Sequence, residues 1–227
     1  MRFSIIMPVL NEEAVLEQHL AHLTHQCAPY DYELLIVDGG SHDNTVTIAR
    51  QYGQIICSPR GRAIQMNTGA SMASGDVLIF LHADTQLPDD AFSAIERALT
   101  SPAVVGGAFC LRFDNNLWSY KCIACLANLR SRLRLIFTGD QAYFVRSTSF
   151  QAIGGYPVQP LMEDREIIIN LQKVGTVVLL PQYVTTSARR HQKIGVLRSV
   201  LFMGYIRILY RFGVSPARLH RMYMDVR

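Results

Sequence analysis

Polar clusters that each close a run of apolar residues carry the chemistry of this chain. In Leu78-Ile-Phe-Leu-His82-Ala-Asp84-Thr85 the apolar run ends in a lone carboxylate beside a histidine. A buried strand cannot keep a carboxylate along its length, so Asp84 is expected at the strand's C-terminal mouth, where open α/β sheets bind ligands. There it can hold a divalent cation against a diphosphate, or it can cap a helix starting near Pro88-Asp89. Val37-Asp38-Gly39-Gly40-Ser41-His42-Asp43-Asn44 sets a second carboxylate at a strand mouth. Its glycines let the backbone approach a ligand, Asp38 can accept a hydrogen bond from a base or ribose, and Asp43 or Asn44 can cap the next helix. Arg60-Gly61-Arg62-Ala-Ile-Gln65-Met-Asn67 brings two arginines to a helix start, where they oppose the dipole. A bound anion removes that conflict; solvation of both side chains is the plain alternative. In Pro8-Val-Leu10-Asn11-Glu12-Glu13 the proline ends strand pairing, and Asn11 with its acidic neighbours suits a helix start. The same turn can form the floor of a nucleotide pocket.

Alternating elements must position these clusters. Strands are expected at Phe3–Met7, Glu33–Val37, Gln54–Cys57 and Val77–Leu81, and helices at 12–25, 44–52, 62–74 and 89–99. Leu16, Leu20 and Leu23 recur at helical spacing. Strand–helix repetition with short loops implies right-handed parallel crossovers, so the four turns open on one edge of one sheet. Beyond residue 100 the pattern is less regular: a strand at Val104–Phe113, a helix over 117–137, a short strand at 142–146, a helix over 163–173 and an extended Thr176–Leu180. The C-terminal part is helical, with a break at Gly213–Pro216. The expectation is one compact α/β domain over residues 1–227, with a ligand-binding half (1–100) and a second half (101–227).

Composition bounds the function. A formal charge of +4 with no dense Lys/Arg tract suits an anionic ligand or lipid headgroups and excludes nucleic acid as the expected partner. The five cysteines are odd in number, and Cys122-Ile-Ala-Cys125 has no second pair at zinc spacing. Helix-packing thiols and a reducing, cytoplasmic compartment are therefore expected. The chain enters a strand at once, so no leader is expected. Residues 194–212 are apolar nearly all round, but Arg198, Arg207 and Arg211 argue against a membrane span. That helix is expected to pack on the core or on a second subunit, or to touch a membrane surface at the inner face.

Pro8-Val-Leu-Asn-Glu-Glu, Val37-Asp-Gly-Gly-Ser-His-Asp-Asn-Thr and Leu81-His-Ala-Asp84 resemble the N-terminal signature of family 2 glycosyltransferases with the GT-A fold. Arg60-Gly-Arg62 with Gln65-Met-Asn67 resembles a compact bacterial subgroup. The resemblance implies a Rossmann-like, mostly parallel central sheet with flanking helices and a helical C-terminal segment. It also implies inverting transfer from a nucleotide-diphosphate sugar, usually a UDP-sugar, to a hydroxyl acceptor that is lipid-linked or a small molecule. Pro8, Leu10, Glu12, Asp38, Gly39, Arg60, Arg62, Gln65, Asn67, His82 and Asp84 would line the nucleotide-sugar site. Asp84 would match the last carboxylate of a metal motif whose first position is here His82, with magnesium or manganese as the cation. Leu161-Met-Glu163-Asp164 resembles the family's Glu-Asp pair, which makes Asp164 the base and Glu163 its orienting neighbour. Like-charge proximity can raise one of the two pKa values; a paired acidic helix start is the bland reading. Thr138-Gly139-Asp140-Gln141 resembles an acceptor-side motif, although Asp140 can equally cap a turn. Ser187-Ala-Arg189-Arg190-His191 resembles the subgroup's ending, in which the two arginines clamp the leaving diphosphate and His191 faces the acceptor; a solvated basic rim is the alternative. A nucleotidyltransferase would need a glycine-rich, lysine-bearing loop after strand one, which Pro8-Val-Leu-Asn does not offer. A non-catalytic nucleotide-sugar-binding protein is the other alternative.

Overall fold

The computed structural model describes residues 1–189, 192 and 195–226, the side chains of 224–226 excepted. Arg190 and His191, expected at the leaving group and the acceptor, lie outside the described residues.

The N-terminal half alternates β1 (Phe3–Val9), α1 (Glu13–Cys27), β2 (Tyr32–Asp38), α2 (Thr45–Ala49), β3 (Gln54–Cys57), α3 (Arg62–Met72) and β4 (Val77–Phe80). A two-residue β5 (Thr85–Gln86), α4 (Ala91–Ala98), β6 (Val104–Phe113) and α5 (Trp118–Arg134) follow. The rest comprises a 3-10 turn (Gly139–Gln141), β7 (Tyr143–Arg146), α6 (Ser147–Ala152), α7 (Glu163–Leu171), β8 (Thr176–Thr186), α8 (Val196–Arg211) and α9 (Pro216–Val226). One eight-stranded sheet runs β3-β2-β1-β4-β7-β6-β8-β5. Strands β1 to β4 are mutually parallel, and β7 turns the direction by pairing antiparallel with both β4 and β6. The strands of the parallel half are rich in Ile, Val and Leu because helices cover both faces. On one face Leu16, Leu20 and Leu23 of α1 and Phe92 and Ile95 of α4 close the core; on the other lie Met66 of α3 and Ile167, Ile168 and Leu171 of α7.

Two local departures from the expected pattern shape the site. Pro8 does not end β1. Pairing with β4 stops at Ile6 opposite Phe80, whereas pairing with β2 runs on to Val9 opposite Asp38. The sheet thus splits at its C-terminal edge around a residue that has no donor to offer. Strand β8 continues past Leu180 to Thr186, because register shifts against β6 let it pass Pro181 and pair again from Tyr183. Its end is carried to the rim, where Thr185 and Thr186 pair with β5.

Candidate active site

The split edge opens into a cleft of about 790 Å³, lined by the end of β1 and the loop that follows it (Pro8 to Glu12), the Arg60-Gly-Arg62 turn, and His82 to Asp84. Asp140, Glu163 and Ser187 close it from the second half. Segments far apart in the chain therefore meet at one rim. Asp38 stands beside Val9 in the ladder at this same edge.

The cleft has a catalytic-looking floor. Met162 adopts φ 70° at the head of α7, a left-handed conformation uncommon for a residue other than glycine. The next two residues, Glu163 and Asp164, are turned inward, Glu163 with 3% exposure. Arg62, the first residue of α3, reaches them, its Nη1 3.4 Å from Glu163 Oε1 and 3.9 Å from Asp164 Oδ2. These carboxylates raise the Arg62 pKa further above its already high ordinary value against the cost of burial. Asp164 is pushed up to about 6, first by burial and then by the Glu163 charge, against the pull of Arg62, His82 and the Gly139 N–H. That amide donates to Asp164 Oδ2 at 2.8 Å. The other oxygen, Oδ1, is buried without a hydrogen-bond partner among the described residues. A carboxylate held near neutrality with one unused oxygen has the properties of a general base; Asp164 lines a groove that adjoins the cleft at Arg62, Asp140 and Glu163.

Gly139 is required by crowding. A Cβ there would lie 2.7 Å from the His82 ring and 3.1 Å from Asp164 Oδ2. His82 thereby packs toward the second half of the site, its Nδ1 3.8 Å from Asp140 Oδ1. Burial and the Arg62 charge lower its pKa, so the imidazole is neutral at pH 7.

The opposite wall is ionic. Arg189 Nη2 lies 3.2 Å from Glu12 Oε2 and 3.8 Å from Asp84 Oδ2, linking the loops that follow β1, β4 and β8. Among the described residues no three His, Cys, Asp or Glu side chains converge as a metal cage. Asp84 does offer one carboxylate, 34% exposed, to the open cleft. Magnesium and manganese bind through one or two carboxylates when substrate phosphates and water complete the shell, so the donor set fits a substrate-borne cation.

Several expected ligands are spent on the scaffold. Gln65 lines the cleft but is 5% exposed, and its amide donates to the Val9 and Val37 carbonyls at 3.0 and 2.8 Å, tying α3 to β1 and β2. Gly39 is buried against it, since a Cβ would come within 3.0 Å of the Gln65 amide. This close approach by itself requires the glycine. Asn67 lies outside the cleft: it accepts from Tyr156 N and donates to Tyr156 O, both at 2.8 Å. Gln141 is fully buried, bridging Ser131, Thr138 and the Phe109 carbonyl. The Asp38 carboxylate accepts from Gly40 N, Ser41 N and the Ser41 hydroxyl of its own turn. Asn11 does not cap α1. Its Oδ1 accepts from His42 N, while Thr45 Oγ1 and Asp43 Oδ2 take the amides of Glu12 and Glu13. The two loops thus cap one another. Of the expected helix-packing thiols, Cys125 is exposed and Cys122 half-buried; all five cysteines are free.

Sequence reasoning missed His220 of α9, which lines the cleft, and Arg130 and Arg207, which line a second groove adjoining it. No local motif marks them, because each reaches its place through packing of the C-terminal helices.

Comparison with known proteins follows the same lines. The family model for glycosyl transferase family 2 matches residues 4–153. The undecaprenyl-phosphate 4-deoxy-4-formamido-L-arabinose transferase of Aeromonas hydrophila is 31% identical over 137 residues, which are 55% of this chain and 41% of that protein. A PGL/p-HBAD biosynthesis glycosyltransferase of Mycobacterium bovis is 29% identical over 215 residues, 88% of this chain and 80% of that one. The chain thus spans about two fifths of the first relative and four fifths of the second. A mannosyltransferase of Pyrobaculum calidifontis, solved with GDP-Man and Mn2+, superimposes with a TM-score of 0.69 at 20% identity, covering 95% of this chain and 66% of that one. TarS of S. aureus, solved with UDP-GlcNAc, gives 0.65 at 18% identity over 82% and 58%. At these identities the likeness establishes the fold, which is the GT-A fold.

Proposed function

The chain belongs to glycosyl transferase family 2, and we propose that it transfers a sugar from a nucleotide diphosphate, a UDP-sugar, to an acceptor hydroxyl with inversion. The observation that carries this reading is Asp164: a carboxylate raised to about 6, lining a groove that meets the Asp84-bearing cleft at Arg62, Asp140 and Glu163. The nucleotide would rest on the Pro8–Glu12 loop, and the diphosphate would lie among Arg60, Arg62 and Arg189. The acceptor oxygen attacks the anomeric carbon from the side of Asp164. As that bond forms, the bond from the anomeric carbon to the diphosphate oxygen breaks and the hydroxyl proton passes to Asp164. Negative charge grows on the departing diphosphate, and guanidinium groups already fixed around it stabilise the transition state without reorganising. Glu163 keeps Arg62 in place and raises the proton affinity of Asp164. A divalent cation held by Asp84 would supply Lewis-acid neutralisation of the diphosphate.

We place the chain in the cytoplasm, a reading supported by its free thiols. No helix among the described residues is long and apolar enough to cross a membrane.

The test is the anomeric configuration of the product, read by NMR from a defined α-linked UDP-sugar. A β-linked product supports the proposal. Retention, or no transfer with any nucleotide sugar, refutes it. Release of pyrophosphate from a nucleoside triphosphate and a sugar phosphate would instead identify a nucleotidyltransferase.

A further inference from the structure

Arg130 and Arg207 present a problem that the donor reaction does not resolve. They line a second groove, of about 880 Å³, between α5 and α8. Asp140, Glu163 and Arg62 line both this groove and the donor cleft, so the two spaces meet at the base. Arg130 Nε and Nη2 are buried with no hydrogen-bond acceptor among the described residues. Guanidinium donors taken out of water without a partner destabilise the fold, and native structures rarely keep them so unless something else binds there. Burial lowers the Arg130 pKa, and Arg134 adds repulsion. Arg207, whose surface is open to solvent, is brought down to about 10 by desolvation and by Arg130 itself. Both stay cationic at neutral pH. Two mutually repelling cations share one groove, and neither forms an ion pair among the described residues.

Part of the wall is apolar, with Ile123, Leu126 and Ala127 of α5 across from Val200 and Met203 of α8, while the carboxylates of Asp140, Glu163 and Asp164 lie at the base beside the donor cleft. The other side of α8 carries Leu197, Leu201, Tyr205, Ile208 and Phe212, all exposed and all on one stripe at helical spacing. A paired guanidinium fork suits a phosphate-class anion. An apolar channel beside an exposed apolar helix face suits a chain delivered from lipid.

We propose that this groove is the acceptor subsite and that it takes a hydroxyl-bearing acceptor that also carries a phosphate-class anion on an apolar chain, with the anion between Arg130 and Arg207, the chain between α5 and α8 and the hydroxyl at the Asp164 end. The proposal rests on the reading of the adjoining cleft as the donor side, and it gives that reading an acceptor class.

Calorimetric titration with hexyl phosphate, glycerol 3-phosphate and hexanol separates the possibilities. Hexyl phosphate is expected to bind at least about tenfold more tightly than glycerol 3-phosphate, which lacks the chain, or hexanol, which lacks the charge. Arg130→Gln and Arg207→Gln should each weaken hexyl phosphate about tenfold or more, the loss expected for a charge-assisted hydrogen bond. Arg130→Gln should also melt no lower than wild type, because a desolvated charge has been removed; if it fails to fold, the exposed Arg207→Gln decides the matter. Equal affinity for hexanol, or indifference to both substitutions, overturns the proposal. Glycerol 3-phosphate binding as tightly as hexyl phosphate overturns it in favour of a water-soluble phosphate. UDP with Mn2+, titrated into the wild type, reports on the donor reading separately. UDP binding without hexyl phosphate binding sinks the subsite alone, whereas no UDP binding removes the premise and the proposal with it.

Discussion

Asp164→Asn removes a charge that the fold holds under strain, and it should make the protein more stable while making it inactive. The Asp164 side chain is 18% exposed, its Oδ1 has no hydrogen-bond partner among the described residues, and the buried Glu163 precedes it. Folding raises its pKa from the ordinary 3.8 to about 6. The folded state therefore binds the proton more tightly than the unfolded chain does. Below pH 3.8 both states are protonated and Asp164 costs nothing; the penalty grows as pH rises toward 6 and is complete above it. At about 1.36 kcal/mol per pH unit the full penalty is about 3 kcal/mol. Asparagine keeps the shape and an acceptor for the Gly139 amide, and the pull of Arg62 is already contained in the net shift; burying the new amide N–H donors offsets part of the relief, so a net gain of about 1–2 kcal/mol is expected near pH 7.5. For a chain of this size that is a rise of roughly 2–8 °C in Tm. Urea denaturation near pH 7.5 and near pH 4 measures the difference: the gain should appear at the first and vanish at the second. The same variant should lose about 10²- to 10⁴-fold in transfer rate. Wild-type kcat/KM should climb about tenfold per pH unit up to the Asp164 midpoint and then level. An Asp164→Asn protein equally destabilised at both pH values, or one that keeps wild-type turnover, would refute the reasoning.

Arg62→Gln removes the cation that holds Asp164 down, so the acidic limb of the rate profile should move to higher pH; a pH series of kcat/KM reads the shift. Gly139→Ala drives a methyl to 2.7 Å from His82; initial rates should fall at least about tenfold, and urea midpoints should report a loss of roughly 1–3 kcal/mol. Asn67→Ala deletes both hydrogen bonds to the Tyr156 backbone. It should cost about 1–3 kcal/mol by urea denaturation, with a weaker effect on the titration of UDP than on stability, because Asn67 stands outside the cleft.

How far the sequence could be read depends on how local each feature is. Strands β3 and β6 begin and end where the apolar pattern places them, and Leu16, Leu20 and Leu23 of α1 are all in the core. Four turns on one sheet edge follow from parallel crossovers alone. Polar residues inside the motifs were harder, because sequence marks a side chain's type and leaves its direction open. Gln65, Asn67 and Gln141 all hydrogen-bond within the scaffold, and the partner of Asn67 lies 89 residues away. Strand β5 is two residues long and exists only because β8 reaches it, which no window of sequence shows. The unmatched donors of Arg130 become meaningful only once α5 and α8 close a groove around them.

A crystal structure of the protein soaked with UDP and Mn2+ tests the central claim most directly. The diphosphate should lie between Asp84 and the arginines at 60, 62 and 189, with the metal touching an Asp84 oxygen and the sugar-bearing end aimed toward Asp164. A nucleotide bound elsewhere, or a metal held away from Asp84 with the cleft filled only by water, would contradict the account.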